Sequence, residues 1–225
     1  ETNSFELHLT DKNDLTGLPE NIVEMASMEA LSRGKEGWIF TLHSPSYIPF
    51  MQYAENRDLR RKMLLAYTSR GFRGNASDNR DIIIRIVNLR LEIAKILGFN
   101  NFAAMTLGDR MADTQLKVED FLRDLYFASR PAALRDFDNV SQFATENGLT
   151  GPLERWDWAY YSEKLKKKLF DINEEILKPY FRLENTQKAI FELAESLYGI
   201  RFVQCSSVPV YHEEVKTFEV YDSDN

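Results

Sequence analysis

Three long segments repeat apolar residues at the three-to-four-residue spacing of an α-helix, and this periodicity constrains the fold more than any other feature. The first follows the helix-start residues Ser77–Asp78–Asn79 and stops at Gly98. The second begins at Thr114 and ends at Gly148, with Pro131 inside it, which predicts either a kink or two abutting helices. The third is closed by Gly199. The apolar positions are Ile82, Ile86, Leu89, Ile93 and Leu97, then Val118, Phe121, Leu122, Leu125, Phe137, Val140, Phe143 and Ala144, then Ile190, Leu193, Ala194 and Leu197.

Shorter segments are typical of strands. Alternating or β-branched residues predict strands near residues 5–9 and 38–42, and three more at 200–203, 208–211 and 217–221. We therefore predict a mainly α fold, with bundle-like helical lobe portions and a small β-sheet in the C-terminal part. Residues 1–147 form a mainly helical part that includes the two early strands. Residues 148–225 form aromatic-led helices, one of them capped by Asp171 or Asn173, and then the sheet, which is incomplete at the C-terminus.

Two observations indicate that the sequence is a segment of a longer protein. It opens with Glu1 instead of Met, and its last strand runs into a turn-forming stretch, residues 222–225, without a returning partner strand. We expect such a segment to expose apolar surface and to tend to dimerise through it. The compartment, cytoplasmic or periplasmic, stays open.

Charge disfavours two classes of partner. The net charge of −7 leaves no basic excess to neutralise phosphates, so we predict neither a nucleic-acid nor a membrane role. No apolar run approaches the roughly 20 residues of a membrane helix. A local basic cluster is interpreted as a solvated helix face; it comprises Arg57, Arg60, Arg61, Lys62, Arg70 and Arg73.

The usual catalytic and metal-binding patterns are missing from the sequence. It contains no glycine-rich phosphate loop and no Gly-x-Ser-x-Gly elbow. The run from His212 to Lys216 begins like His-Glu-x-x-His, but a lysine ammonium cannot replace the second imidazole ligand. Cys205 lies beside an apolar run and is predicted to be a buried, inert thiol. We therefore assign no catalytic residue, no metal ligand and no bound cofactor to this chain.

One stretch concentrates aromatic residues: Trp156-Asp157-Trp158-Ala159-Tyr160-Tyr161. Aromatic side chains at this density are costly to expose, so the stretch either packs into a core or lines a groove. Asp157 is predicted to cap the helix that follows. Trp156, Tyr160 and Tyr161 are the candidates for lining a substrate channel, with core packing as the alternative.

This stretch also resembles a known family. Residues 156–164 look like the Trp-Asp-x-x-Tyr-Tyr segment of the thimet oligopeptidase family of zinc metallopeptidases, and residues 177–181 resemble its next Leu-Lys-Pro-Tyr-Phe element. Residues 197–202 and 208–215 are similar to a later landmark, a Gly-Ile/Leu strand followed by an aromatic-His-x-Asp/Glu-Val motif. Earlier matches are Leu15 to Pro19, Asp78 to Arg80, and Leu97 to Ala103. Trp158 and residues 208–212 lean towards the peptidyl-dipeptidase (Dcp-like) branch.

The resemblance implies a fold and an activity. It implies a mostly helical fold whose two lobes face across a channel that admits short unfolded peptides. It also implies a His-Glu-x-x-His zinc site beyond Asn225, whose activated water attacks a peptide bond, with release of C-terminal dipeptides in the Dcp-like branch. This chain would supply scaffold and channel wall and would be inactive alone. Two alternatives from other classes are a self-contained helical module that binds peptides or proteins, and a thiol enzyme that uses Cys205.

Overall fold

Helices dominate the described residues, 1–171 and 177–222, of the computed structural model. This confirms the predicted mainly α class with small sheets. None of the described helices combines the length and apolarity needed to cross a membrane. The elements are β1 (Leu7–Leu9), α1 (Glu20–Ser32), β2 (Trp38–Phe40), α2 (Ser44–Tyr53), α3 (Arg57–Thr68), α4 (Arg80–Ile96), α5 (Phe102–Leu107), α6 (Gln115–Glu146), α7 (Arg155–Phe170), α8 (Leu183–Tyr198), β3 (Arg201–Cys205) and β4 (Thr217–Tyr221), with 3-10 turns at Lys12–Leu15 and Lys178–Tyr180.

By their contacts the residues form two units, 1–170 and 171–225. The aromatic helix α7 packs on α2, α3 and α6 and so belongs to the first unit. This division lies later in the chain than the change in sequence pattern at 147/148, because the pattern records local periodicity whereas the units record packing.

The two early strands form as predicted, and the core of the first unit is built on them. β1 and β2 pair antiparallel, with Leu7 opposite Phe40 and Leu9 opposite Trp38. Leu7 and Leu9 are buried while His8 between them is exposed, as the two-residue period of a strand requires. Helices α1, α2 and α3 close over the sheet and bury Ile22, Ala26, Phe50, Met51, Ala54 and Met63.

Side-chain caps or a left-handed glycine mark several helix ends. Asn56 Oδ1 accepts hydrogen bonds from the Asp58 and Leu59 N–H groups and caps α3. Thr114 Oγ1 accepts from the Lys117 N–H at 3.3 Å and starts α6. Gly199, at φ 71°, ends α8 in the left-handed conformation that glycine adopts without strain.

Helix α6 runs without a break from Gln115 to Glu146 and contains Pro131 in its interior. The alternative of two abutting helices was therefore wrong. Its C-terminal half packs against α7, where Val140, Phe143 and Ala144 meet Tyr160 and Tyr161 in a second buried cluster. The loop after it, which includes Gly148 and Gly151, leads directly to the start of α7.

The second unit holds α8 and a two-stranded sheet. β3 pairs antiparallel with β4 from Arg201 opposite Tyr221 to Cys205 opposite Thr217. Phe191 of α8 stacks on Phe202, with ring centroids 4.3 Å apart, and meets Phe218 edge-on at 4.9 Å. These three rings connect the helix to the sheet.

One predicted strand was wrong. Residues 208–211, within the described part of the chain, form no strand. Pro209 has no N–H to donate to a sheet ladder, and so the alternation of valines there was misleading. The helix predicted from a cap at Asp171 or Asn173 falls mostly on residues 172–176, and the end of the predicted terminal turn falls on residues 223–225. Both lie outside the described residues.

Candidate functional site

The candidate site lies where the aromatic start of α7 meets α2 and α3. Tyr160 and Tyr161 are buried, with only 6% and 7% of their surface exposed, and their rings meet edge-on at 5.0 Å. Trp156 is half-buried against the N-terminal core. Of the three channel candidates, two tyrosines therefore serve as core in this chain, and Trp156 alone keeps a substantial accessible face.

At the centre of the site a buried carboxylate receives two guanidinium groups. Asp157 is fully buried. Its Oδ1 accepts from Arg57 Nε at 3.0 Å and from Arg60 Nη2 at 2.9 Å, and its Oδ2 accepts from Arg57 Nη2 at 2.7 Å. Arg57 Nε also donates to Oδ2 at 3.1 Å, and the Glu154 N–H donates to Oδ2 at 3.2 Å. Five hydrogen bonds from the protein therefore hold the buried carboxylate.

Asp157 lies within the first turn of α7 and is not its N-cap, contrary to our prediction. The helix begins at Arg155, and the bond to Glu154 is the back-reaching contact that a residue in the first turn makes to the N–H preceding the helix. The carboxylate still stabilises the helix start. It accepts a hydrogen bond from the Glu154 N–H and places negative charge at the positive end of the helix dipole.

The pKa of Asp157 reflects two opposing effects. Burial acts to raise it, whereas the hydrogen bonds from Arg57, Arg60 and the Glu154 N–H act to lower it and prevail. The pKa of Arg57 is raised in turn by its hydrogen bonds to Asp157. The pair is therefore ionised at neutral pH.

Arg60 joins three helices. Its side chain is only 1% exposed. Nη1 donates to the Ala54 and Glu55 carbonyls that follow α2, at 2.7 and 3.0 Å, and Nε donates to the Trp156 carbonyl at 3.0 Å. The guanidinium carbon also lies 4.1 Å from the Tyr160 ring centroid. Such a planar group with its donors satisfied fixes the crossing of α2, α3 and α7.

The outer side of the site presents cations around one indole. The Arg61 guanidinium carbon lies 5.4 Å and that of Arg57 6.0 Å from the Trp156 ring centroid. The Arg57 side chain is 39% exposed, so this edge of the network reaches solvent. The arrangement offers a rigid aromatic surface with positive charge beside it, and no free base, because Asp157 is both buried and paired.

Sequence reasoning missed the role of the basic cluster. The predicted solvated face was wrong for Arg60, whose side chain is 1% exposed, and only partly right for Arg57, whose side chain is 39% exposed. One signal was available: Arg60 lies three residues before Met63 and six before Ala66, on the buried stripe of α3. A second was the lone acid in an aromatic stretch, since a buried carboxylate requires a cationic partner.

The other candidates from the sequence are dispersed. The His8 ring Nε2 lies 2.6 Å from the Glu36 carbonyl oxygen, and the His212 ring Nδ1 accepts from the Glu214 N–H at 3.3 Å. Cys205 is half-buried, with Sγ 3.6 Å from Thr217 Oγ1. Within residues 1–171 and 177–222, no three His, Cys, Asp or Glu side chains converge as a metal site requires. The residues described do not fit a zinc centre.

Comparison with a family model and comparison with individual proteins both match this chain to peptidases. The sequence model of peptidase family M3 matches residues 50–225. Oligopeptidase A of Escherichia coli is 37% identical over 221 residues, which cover 96% of this chain and 32% of that protein. A probable cytosolic oligopeptidase A of Arabidopsis thaliana is 39% identical over 232 residues, covering 99% of this chain and 33% of that protein. Dipeptidyl carboxypeptidase of Escherichia coli is 31% identical over 218 residues, covering 96% and 32%. The chain thus spans about a third of the length of the curated relatives it matches.

Proposed function

The chain belongs to peptidase family M3, and from that premise we propose that it is the scaffold and channel-wall segment of a zinc-dependent peptidase that hydrolyses short, unfolded peptides. The family agrees with the resemblance found in the sequence. The observation that carries the proposal is the alignment of nearly the whole chain with oligopeptidase A sequences.

The proposed role divides the work between this chain and residues outside it. The donors of a zinc site do not converge in the described residues, so we assign the metal and its ligands to polypeptide beyond this chain. Zinc, when bound there, supplies a polarised water for attack on the peptide carbonyl. The contribution of this chain is positional: the Arg57–Asp157–Arg60 network holds α7 in place, and Trp156 offers a contact surface at its edge. By itself the chain hydrolyses nothing.

The finer proposal concerns the mode of cleavage. Trp158 and residues 208–212 favour release of C-terminal dipeptides, whereas identity is higher to the oligopeptidase A sequences than to the dipeptidyl carboxypeptidase. The two modes differ in their need for a free C-terminal carboxylate. A peptide and its C-terminal amide, digested by the protein from the complete gene, distinguish them by mass spectrometry. Dipeptide release from the free acid alone supports the peptidyl-dipeptidase branch, and internal cleavage of both peptides refutes it.

The general proposal is tested with two purified proteins. The product of the complete gene is expected to cleave a quenched fluorescent peptide, to lose activity with a chelator, and to regain it with added zinc. The 225-residue chain is expected to show no cleavage under the same conditions. A peptidase rate that copurifies with the short chain through several columns contradicts the division of roles. Peptide binding without hydrolysis by both proteins favours the interaction module instead.

A further inference from the structure

Helix α4 exposes apolar side chains around most of its circumference. Its isoleucine, valine and leucine side chains from Ile82 to Ile93 are each between 36% and 60% exposed; they are Ile82, Ile83, Ile84, Ile86, Val87, Leu89, Leu91 and Ile93. Ala94 is buried, and Arg90 lies over the Phe102 ring of α5 at 5.0 Å. Within the described residues, α4 packs mainly on α5.

The angular distribution of these residues shows that α4 requires packing neighbours on more than one side. At 100° per residue, Ile82 and Ile84 lie on nearly opposite sides of the helix. Five polar residues, Asp81, Arg85, Asn88, Glu92 and Lys95, gather in a sector of about 80°, and the apolar residues spread over an arc of about 240° outside it, in which Arg80 and Arg90 are the charged exceptions. A surface helix of a globular protein needs an apolar stripe only slightly wider than about 100°. Helix α4 therefore has the pattern of a helix enclosed on several sides.

The first half of α6 shows the same property. Phe121, Leu122, Leu125, Tyr126 and Phe127 are each more than half exposed. We call the exposed apolar residues of α4, together with these five, the α4–α6 apolar surface. Helices α4 and α6 both contact α5. Single exposed apolar residues are common on soluble monomers, whereas so many on two helices are typical of an interface.

The total exposed area indicates how much surface a partner would have to cover. The chain exposes 16,682 Å², whereas a folded monomer of its mass exposes roughly 10,600 Å² and two separate folded units of its two lengths roughly 12,400 Å². The excess is at least about 4,000 Å². One partner in an obligate dimer buries about 1,000–2,500 Å² of its own surface, so a single symmetric contact leaves much of the excess uncovered.

From these observations we infer that the α4–α6 apolar surface docks the remaining two thirds of the same polypeptide, with α4 enclosed as a core helix. The inference rests on the proposed function for the identity of that polypeptide. It is supported by the relatives, which are about three times as long as this chain. Only a long, continuous partner supplies neighbours on several sides of one helix, and it does so without the entropy cost of bimolecular association.

The test compares one substitution in two proteins. Ile83→Lys places a charge near the middle of the apolar arc, and Asn88→Lys, in the polar sector of the same helix, is the matched control. In the 225-residue chain both variants are expected to shift the Tm by no more than about 2 °C, because both positions face solvent. In the product of the complete gene, Ile83→Lys is expected to lower the Tm by at least about 5 °C or to abolish soluble expression, while Asn88→Lys does neither.

Three outcomes overturn the inference. Equal behaviour of the two variants in the long protein means that α4 is exposed there. A reading frame confined to these 225 residues removes the proposed partner. A product of the complete gene that is dimeric by light scattering, and that Ile83→Lys converts to a monomer, identifies a second copy as the occupant. If Ile83→Lys lowers the Tm of a long protein that shows no peptidase activity, the docking inference stands and only the proposed function is refuted.

Discussion

Removing the charge of Asp157 is the perturbation that most directly tests the candidate site. Asp157→Asn keeps the shape of the side chain but leaves Arg60, 1% exposed, without an anionic partner. It also turns one acceptor oxygen into an N–H₂ group that faces guanidinium donors. Removal of one member of a buried ion pair typically costs about 3–5 kcal/mol, because the remaining charge stays desolvated.

The assay is chemical and thermal denaturation, both followed by tryptophan fluorescence. All three tryptophans, Trp38, Trp156 and Trp158, lie in the first unit, so the signal reports the unit that contains the network. At 2–4 °C per kcal/mol, the corresponding drop in Tm is roughly 6–20 °C. Asp138→Asn, an exposed acid on α6, is the matched control and is expected to change the Tm by less than about 2 °C.

The pH dependence gives an independent check on the same residue. The folded pKa of Asp157 lies below its usual value, so its contribution is fully present above an unfolded pKa of about 3.9 and is lost as the pH falls through the folded pKa. The stability gap between wild type and Asp157→Asn is therefore expected to be largest above pH 5 and to narrow towards pH 2. A loss below about 1 kcal/mol at pH 7, or a gap that widens in acid, would refute the reasoning.

Other changes have smaller or more local effects. Arg57→Ala is expected to cost less than Arg60→Ala in the same denaturation assay, since the Arg57 side chain is 39% exposed and its pairing is screened by solvent; the reverse order would show that the outer pair dominates. Gly37→Ala is expected to lower the Tm clearly, because its φ is +90° and a Cβ there would lie 2.3 Å from the Leu9 carbonyl oxygen, whereas Gly34→Ala, at φ +67° with open space around it, costs only the backbone strain of about 1–2 kcal/mol. Asn56→Ala removes the cap of α3 and is expected to cost about 1 kcal/mol, measured by thermal unfolding against Lys62→Ala, an exposed position in the interior of the same helix. Alkylation of Cys205 is expected to leave any peptidase activity of the long protein unchanged, and a loss of activity would revive the thiol-enzyme alternative.

The helices and the early strands follow from local sequence rules. Asn56, Thr114 and Gly199 mark helix ends where side-chain caps or a left-handed glycine act on the nearest backbone groups. The alternation of Leu7, His8 and Leu9 marks a strand with one buried face. These features can be predicted from the sequence because every interaction involved joins residues close together in the chain.

Two errors show where local rules fail. Residues 208–211 have strand-like side chains, but Pro209 removes a donor and the described structure places no strand there. Pro131 suggested an interruption, yet α6 continues through it, since the packing of its second half on α7 outweighs one lost hydrogen bond. In both cases the outcome depends on what a neighbouring element offers to the backbone.

The candidate site also has one part that the sequence predicts and another that it does not. The sequence by itself determined that residues 156–161 begin an aromatic helix, that an acid lies within it, and that the chain is related to peptidases. Only the tertiary structure decided that Asp157 pairs with Arg57 and Arg60, about a hundred positions earlier. Periodicity reports which face of a helix is apolar, but not which distant charge comes to lie against it. The partner of a buried ion is set by how helices cross, and that crossing is a property of the whole packed core.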